Sequence, residues 1–191
     1  MDGSVPPASG RARLVVANHR HALDIPIVLS LFHGRVLSRA DVRDWPLLGS
    51  IARWGGTIFV DREKGMSRAS AARAIRSGLR DGQTLVVFPE GTTHAGDEVR
   101  EFHPGAFAGL RDLDVEIVPV GLAYPMGTEF VEDSFVEHLS NTAARSSLRV
   151  GIAIGTPVRA SAGPREVART IRESVQQQVL LARAVASRAD A

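Results

Sequence analysis

Two short polar runs hold the residue types that acid–base chemistry needs. The first is Asn18-His19-Arg20-His21-Ala22-Leu23-Asp24. Its histidine stands where an apolar run ends, and its aspartate five positions on stands where a helix would begin. A turn between them can bring imidazole and carboxylate together. A histidine so held can act as a general base, while the carboxylate fixes its tautomer and stabilises the imidazolium. Taken alone, this spacing is met more readily by a helix-capping aspartate beside an incidental histidine. The second run is Phe88-Pro89-Glu90-Gly91-Thr92-Thr93. A strand broken by Pro-Glu-Gly presents a carboxylate and exposed backbone donors at a sheet edge, where α/β proteins place their sites; an ordinary tight turn would look the same.

Two further blocks are bland one at a time. Gly56-Thr57-Ile58-Phe59-Val60-Asp61-Arg62 reads as a strand ending in an arginine that can grip an anion bidentately, or can pair with Asp61 or Glu63 at the surface. Ile117-Val118-Pro119-Val120 reads as a buried strand with a bulge-forming proline.

In this order the four blocks resemble the glycerolipid acyltransferase family, represented by bacterial 1-acyl-glycerol-3-phosphate acyltransferases. That family carries Asn-His-x4-Asp, Gly-x-x-Phe-(Ile/Val)-x-Arg, Phe-Pro-Glu-Gly-Thr and Val-Pro blocks, and the likeness runs over about 14–157. The resemblance implies that His19 deprotonates an acceptor hydroxyl, which attacks an acyl thioester directly, with Asp24 as its orienting partner. It implies substrate-binding roles for Asn18, Arg62, Glu90, Gly91 and Thr92, with Arg62 and the Glu90-Gly91 turn holding the acceptor's phosphate or polar head. The donor would be acyl-CoA or an acyl-carrier protein, with no cofactor and no metal. The acceptor would be a lysophospholipid, in the first place 1-acyl-glycerol-3-phosphate, giving phosphatidic acid.

Two departures bear on that acceptor. His21 stands where the family usually has Ser, and Thr93-His94 where it often has Arg-Ser. Without that arginine, a lysolipid lacking glycerol phosphate, such as a lyso-ornithine lipid, becomes a second candidate.

Composition bounds the chemistry further. The 191 residues include no cysteine, which excludes a disulfide framework, a thiolate metal site and a cysteine nucleophile. No Gly-x-Ser-x-Gly elbow is present to form an acyl-enzyme. Formal net charge is only +2, although the pI is 9.9, because nearly all basic residues are arginine. Acids interleave with those arginines, which describes a solvated mixed surface rather than a nucleic-acid footprint. The most apolar stretch, 25–32, is far shorter than the roughly 20 residues of a membrane-spanning helix. The expectation is a peripheral protein on the cytoplasmic side of the cell membrane. Arginines and tryptophans at 43–54 suit either a membrane interface or the core.

The elements that must carry these groups alternate between strand and helix, which predicts one α/β domain with a central mixed, largely parallel sheet of about six strands flanked by helices. Strands are expected at 14–17, 35–38, 57–60, 84–88, 115–123 and 148–154. Helices are expected at 24–32, with Asp24 as N-cap, and at 45–54, 67–80, from His103-Pro104 onward, and 165–188. In the last, Val167, Ile171, Val175 and Val179 recur at four-residue steps and read as core. Residues 1–13 read as a flexible lead-in and 14–188 as the acyltransferase domain. Two rivals come from other classes. One is a metal-dependent hydrolase using His19, His21 and Asp24 with His94 or His103; the other is a non-catalytic lipid-binding module.

Overall fold

The structure, a computed structural model, describes residues 1–7, 9–39, 58–60, 68–131 and 135–188. Its strands are β1 (Ala12–Ala17), β2 (Arg35–Arg39), β3 (Ile58–Val60), β4 (Thr84–Val87), β5 (Val115–Ala123), β6 (Gly151–Ile154) and β7 (Val158–Arg159). The α-helices among the described residues are α1 (Asp24–Phe32), α2 (Arg68–Arg80), α3 (Phe135–Ala143) and α4 (Pro164–Arg188). The strands form a seven-stranded sheet in the order β3-β2-β4-β1-β5-β6, with β7 also on β5. Every pairing from β3 across to β5 is parallel, and β6 and β7 run antiparallel to β5.

Side-chain alternation along the strands divides the core into two layers. Leu14 and Val16 of β1, Leu85 and Val87 of β4 and Val115 and Ile117 of β5 face α2 and α4, joining Ile75, Leu79, Ile171, Val175 and Val179. Val15, Val86, Val118, Val120 and Leu122 face the other way, against Val28, Leu29 and Phe32 of α1. Each such side chain, fully buried, contributes about 1.5–3 kcal/mol, so β1, closed on both faces, is a rigid mount for whatever follows it. Close approach of α4 to β5 depends on Gly121, where a Cβ would lie 2.2 Å from the carbonyl carbon of Gln178. The four valine and isoleucine positions read as core in α4 are all buried.

Several elements differ from the sequence expectation. Asp24 is the first residue of α1 and not its cap; Leu23 is the N-cap and makes no side-chain capping bond, because the Asp24 carboxylate turns back into the preceding loop. The segment after His103 forms two 3₁₀ turns, Pro104–Ala106 and Ala108–Leu110. Gly105 and Gly109 weaken helix propagation there, while buried Phe102, Phe107 and Leu110 pin the segment to the core. Helix α3 and strand β7 were not expected. Residues 45–54 and Arg62 lie outside the described residues.

The opening residues are tied to the sheet. Asp2 exchanges backbone hydrogen bonds with β6, its N–H donating to the Ile152 carbonyl (2.8 Å) and its carbonyl accepting from Ile154 N–H (3.1 Å). The Arg13 guanidinium pairs with Glu116 and donates to the Pro6 and Pro7 carbonyls. A buried cation with satisfied donors thus fastens the segment to β1 and β5.

Candidate active site

The site forms where β1 leaves the sheet. Asn18 is fully buried, and its amide donates to the Leu122 carbonyl (2.9 Å) and accepts from Leu122 N–H (2.8 Å). Its side chain extends the β1–β5 ladder by one rung while the main chain turns away. The amide is thus an internal tie between the end of β1 and β5. Leaving the backbone groups of Leu122 unpaired in the interior would be costly.

The turn then closes on Asp24. Its Oδ2 accepts from Arg20 N–H (2.6 Å) and His21 N–H (2.9 Å), and lies 2.8 Å from His19 Nδ1. The carboxylate is fully buried and sits in the first turn of α1, where converging N–H groups and the helix dipole favour negative charge. Beside a carboxylate, Nδ1 takes the donor role, which leaves Nε2 as the ring's basic atom. The His19 side chain keeps 19% of its surface exposed. Its ring stacks on Phe88, with centroids 4.6 Å apart.

Glu90 arrives from the β4 side through the turn Phe88-Pro89-Glu90-Gly91, closed by Gly91 N–H donating to the Phe88 carbonyl. Proline at the second position presets this turn, and Gly91 takes a positive φ of 79° that favours glycine. The Glu90 carboxylate accepts from His19 N–H (2.7 Å), Arg100 N–H (2.9 Å) and the Arg20 guanidinium (2.9 and 3.0 Å). Arg20 in turn donates to the carbonyls of His19, Gly96 and Glu98, each at 2.7 Å. Glu90 and Arg20 form a buried ion pair that welds the first block to the loop after β4. Glu90 holds the backbone of His19, and a carboxylate so deep must be paired. Gly91 and Thr92 are exposed beside this turn. His94 N–H donates to the His19 carbonyl (3.2 Å), and burial pushes the His94 imidazole below its ordinary pKa.

Behind Asp24 lies a layer that the sequence did not reveal. Tyr124, one residue past β5, donates its hydroxyl to Asp24 Oδ1 at 2.6 Å. Its ring stacks on His21 at 4.8 Å, and His21 packs against His138 of α3 at 4.2 Å. His21 Nδ1 accepts from Leu23 N–H (3.0 Å), and Nε2 faces Thr142 Oγ1 (3.3 Å). Burial first, and then the neighbouring His138, bring the His21 pKa down to about 4. Both ring nitrogens of His21 are thus engaged, by Leu23 N–H and Thr142 Oγ1. Among the described residues, no three His, Asp or Glu side chains are grouped to hold a metal. The signal available for Tyr124 was slight: it is the chain's single tyrosine and directly follows a strand.

Residues 4–123 match the family model described as Acyltransferase, and the chain belongs to that family. It is 40% identical over 111 residues to a lyso-ornithine lipid O-acyltransferase of Pseudomonas aeruginosa, covering 58% of this chain and 43% of that protein. A lyso-ornithine lipid O-acyltransferase of Brucella abortus matches at 28% over 90% of this chain and 74% of its own length. A 1-acyl-sn-glycerol-3-phosphate acyltransferase of Neisseria gonorrhoeae matches at 28% over 64% of this chain and 48% of its own. This chain therefore spans less than half the length of two of these relatives. The crystal structure of the 1-acyl-sn-glycerophosphate acyltransferase PlsC of Thermotoga maritima shares the fold, with a TM-score of 0.66 over 96% of this chain and 71% of that one, at 22% identity.

Proposed function

We propose that this protein transfers a fatty acyl group from a thioester, acyl-CoA or acyl-carrier protein, to the hydroxyl of a lysolipid. The observation that carries this reading is the His19–Asp24 pair, with the carboxylate sealed, Nδ1 beside it and Nε2 left to take a proton. The acceptor hydroxyl gives its proton to Nε2 as its oxygen attacks the thioester carbonyl. The tetrahedral adduct collapses, the C–S bond breaks, and the imidazolium returns its proton to the departing thiolate. Asp24 holds the ring and offsets its transient charge. General-base help of this kind contributes about 10²- to 10⁴-fold.

Of the two acceptors expected from sequence, the lyso-ornithine lipid has the stronger support. The Pseudomonas relative, 40% identical, carries that name, and Thr93-His94 replaces the usual Arg-Ser. The Neisseria relative supports 1-acyl-glycerol-3-phosphate as the second reading. An acceptor this amphiphilic places the reaction at a membrane surface, which the protein approaches peripherally from the cytoplasmic side; no helix among the described residues is long and apolar enough to cross a membrane. The test is a panel of lysolipid acceptors against radiolabelled acyl-CoA and acyl-carrier protein, with His19→Ala in parallel. Transfer to lyso-ornithine lipid, lost in a folded His19→Ala, is expected. Transfer confined to 1-acyl-glycerol-3-phosphate would reverse the choice of acceptor. Lipid binding without transfer in any pairing would leave a non-catalytic module.

A further inference from the structure

We propose that Tyr124 is a positioning residue: its hydroxyl fixes the rotation of the Asp24 carboxylate, so that Oδ2 is always the oxygen presented to His19. This rests on the acyl-transfer reading, in which His19 is the base. The geometry is specific. All three contacts from the preceding loop, His19 Nδ1, Arg20 N–H and His21 N–H, fall on Oδ2. Oδ1 takes the phenol at 2.6 Å. A carboxylate whose second oxygen lacked a donor in this dry site would be under-satisfied and drawn to rotate about its Cβ–Cγ bond. The phenol removes that alternative, and a hydrogen bond to a charged group is among the strong ones.

Tyr124 is itself held by His21, which is braced in turn from beyond the segment that matches the family model. The matching segment ends at residue 123. Stacking on the Tyr124 ring comes from His21, which Leu23 N–H and Thr142 of α3 latch in place. His138 of α3 packs behind His21, and Phe130 packs on His138 at 4.7 Å. The loop and helix after β5 thus brace the acid of a base–acid pair whose two members lie in the first block. The phenol stays a donor throughout, since burial and the adjacent Asp24 raise its pKa well above the ordinary tyrosine value.

The test compares the wild type, Tyr124→Phe, and protein with 3-fluorotyrosine incorporated; the chain's single tyrosine makes that labelling site-specific. Tyr124→Phe is expected to lower kcat roughly tenfold to a hundredfold, the loss of one charge-assisted hydrogen bond. KM for donor and acceptor should stay unchanged, and 3-fluorotyrosine, which keeps the hydroxyl, should retain wild-type kcat. The second readout needs no turnover. In ¹⁵N spectra, the wild-type His19 ring should show the Nδ1–H tautomer alone, and Tyr124→Phe both neutral tautomers. An unchanged His19 spectrum in a folded Tyr124→Phe overturns the proposal whatever the activity does, as does a fluorotyrosine protein no more active than the Phe variant. If Tyr124→Phe does not fold, the wild-type spectrum and the fluorotyrosine kcat decide on the same terms. A wild type that acylates no lysolipid would sink the acyl-transfer reading, while the spectra still report whether Tyr124 orients Asp24.

Discussion

His19 and His21 stand two residues apart and touch the same carboxylate, yet they are different chemical objects. The His19 side chain meets Asp24 directly and stays partly exposed. His21 gives Asp24 only its backbone N–H, is fully buried, and is held neutral by burial with its pKa near 4. The turn aims one ring at the front of the carboxylate and its neighbour behind, beneath Tyr124 and α3. Front and back thus divide the work. In the proposed reaction the front offers a basic nitrogen to the acceptor, and the back keeps the acid from moving or exchanging its proton partners. Residue type does not distinguish these roles; the surrounding dielectric and the hydrogen-bond partners do.

The largest effect that would sharpen this contrast is on turnover. Asp24→Asn should lower kcat about 10³-fold in a folded protein, since an amide can hold the wrong tautomer and cannot offset an imidazolium. Steady-state acyl-transfer rates check this, and an unchanged kcat would reduce Asp24 to loop architecture. Next comes the weld between the first block and the loop after β4. Glu90→Ala leaves Arg20 buried without its partner and should cost about 3–5 kcal/mol of stability, measured by urea unfolding. A loss under about 1 kcal/mol would show that water or a neighbour replaces the carboxylate.

The smallest effect concerns His21 and acid. A histidine buried in its neutral form has a depressed folded pKa, so the unfolded chain binds the extra proton first. Its contribution is therefore complete above pH 6.5 and is lost as pH falls from 6.5 to about 4, by on the order of 3 kcal/mol. In His21→Asn, whose side-chain oxygen can still accept from Leu23 N–H, stability should vary less across that window than in the wild type. Equal pH slopes from chemical denaturation at pH 4.5, 5.5 and 7 would place the acid sensitivity elsewhere.

Much of the scaffold was legible because its signals are local. Apolar runs at 14–17 and 115–123 and the four-residue rhythm of α4 report burial directly, and each lies where it was read. Helix α3 escaped because Ser140, Asn141 and Thr142 are weak helix formers. The 3₁₀ turns were expected as a helix because a proline start is also a helix signal, with Gly105 and Gly109 outvoting it.

By itself, the sequence placed an imidazole at a strand end and a carboxylate at a helix start, near enough for a turn to join them; that they meet is a finding of the structure. It also determined the alternation of elements and the exclusion of thiol chemistry. Only the tertiary structure decided what surrounds that pair. Placing β1 between β4 and β5 brings Glu90 to Arg20 across 70 positions and Tyr124 to Asp24 across 100. No local propensity encodes such contacts, because they follow from strand order, and strand order is settled by how the two hydrophobic layers pack as a whole.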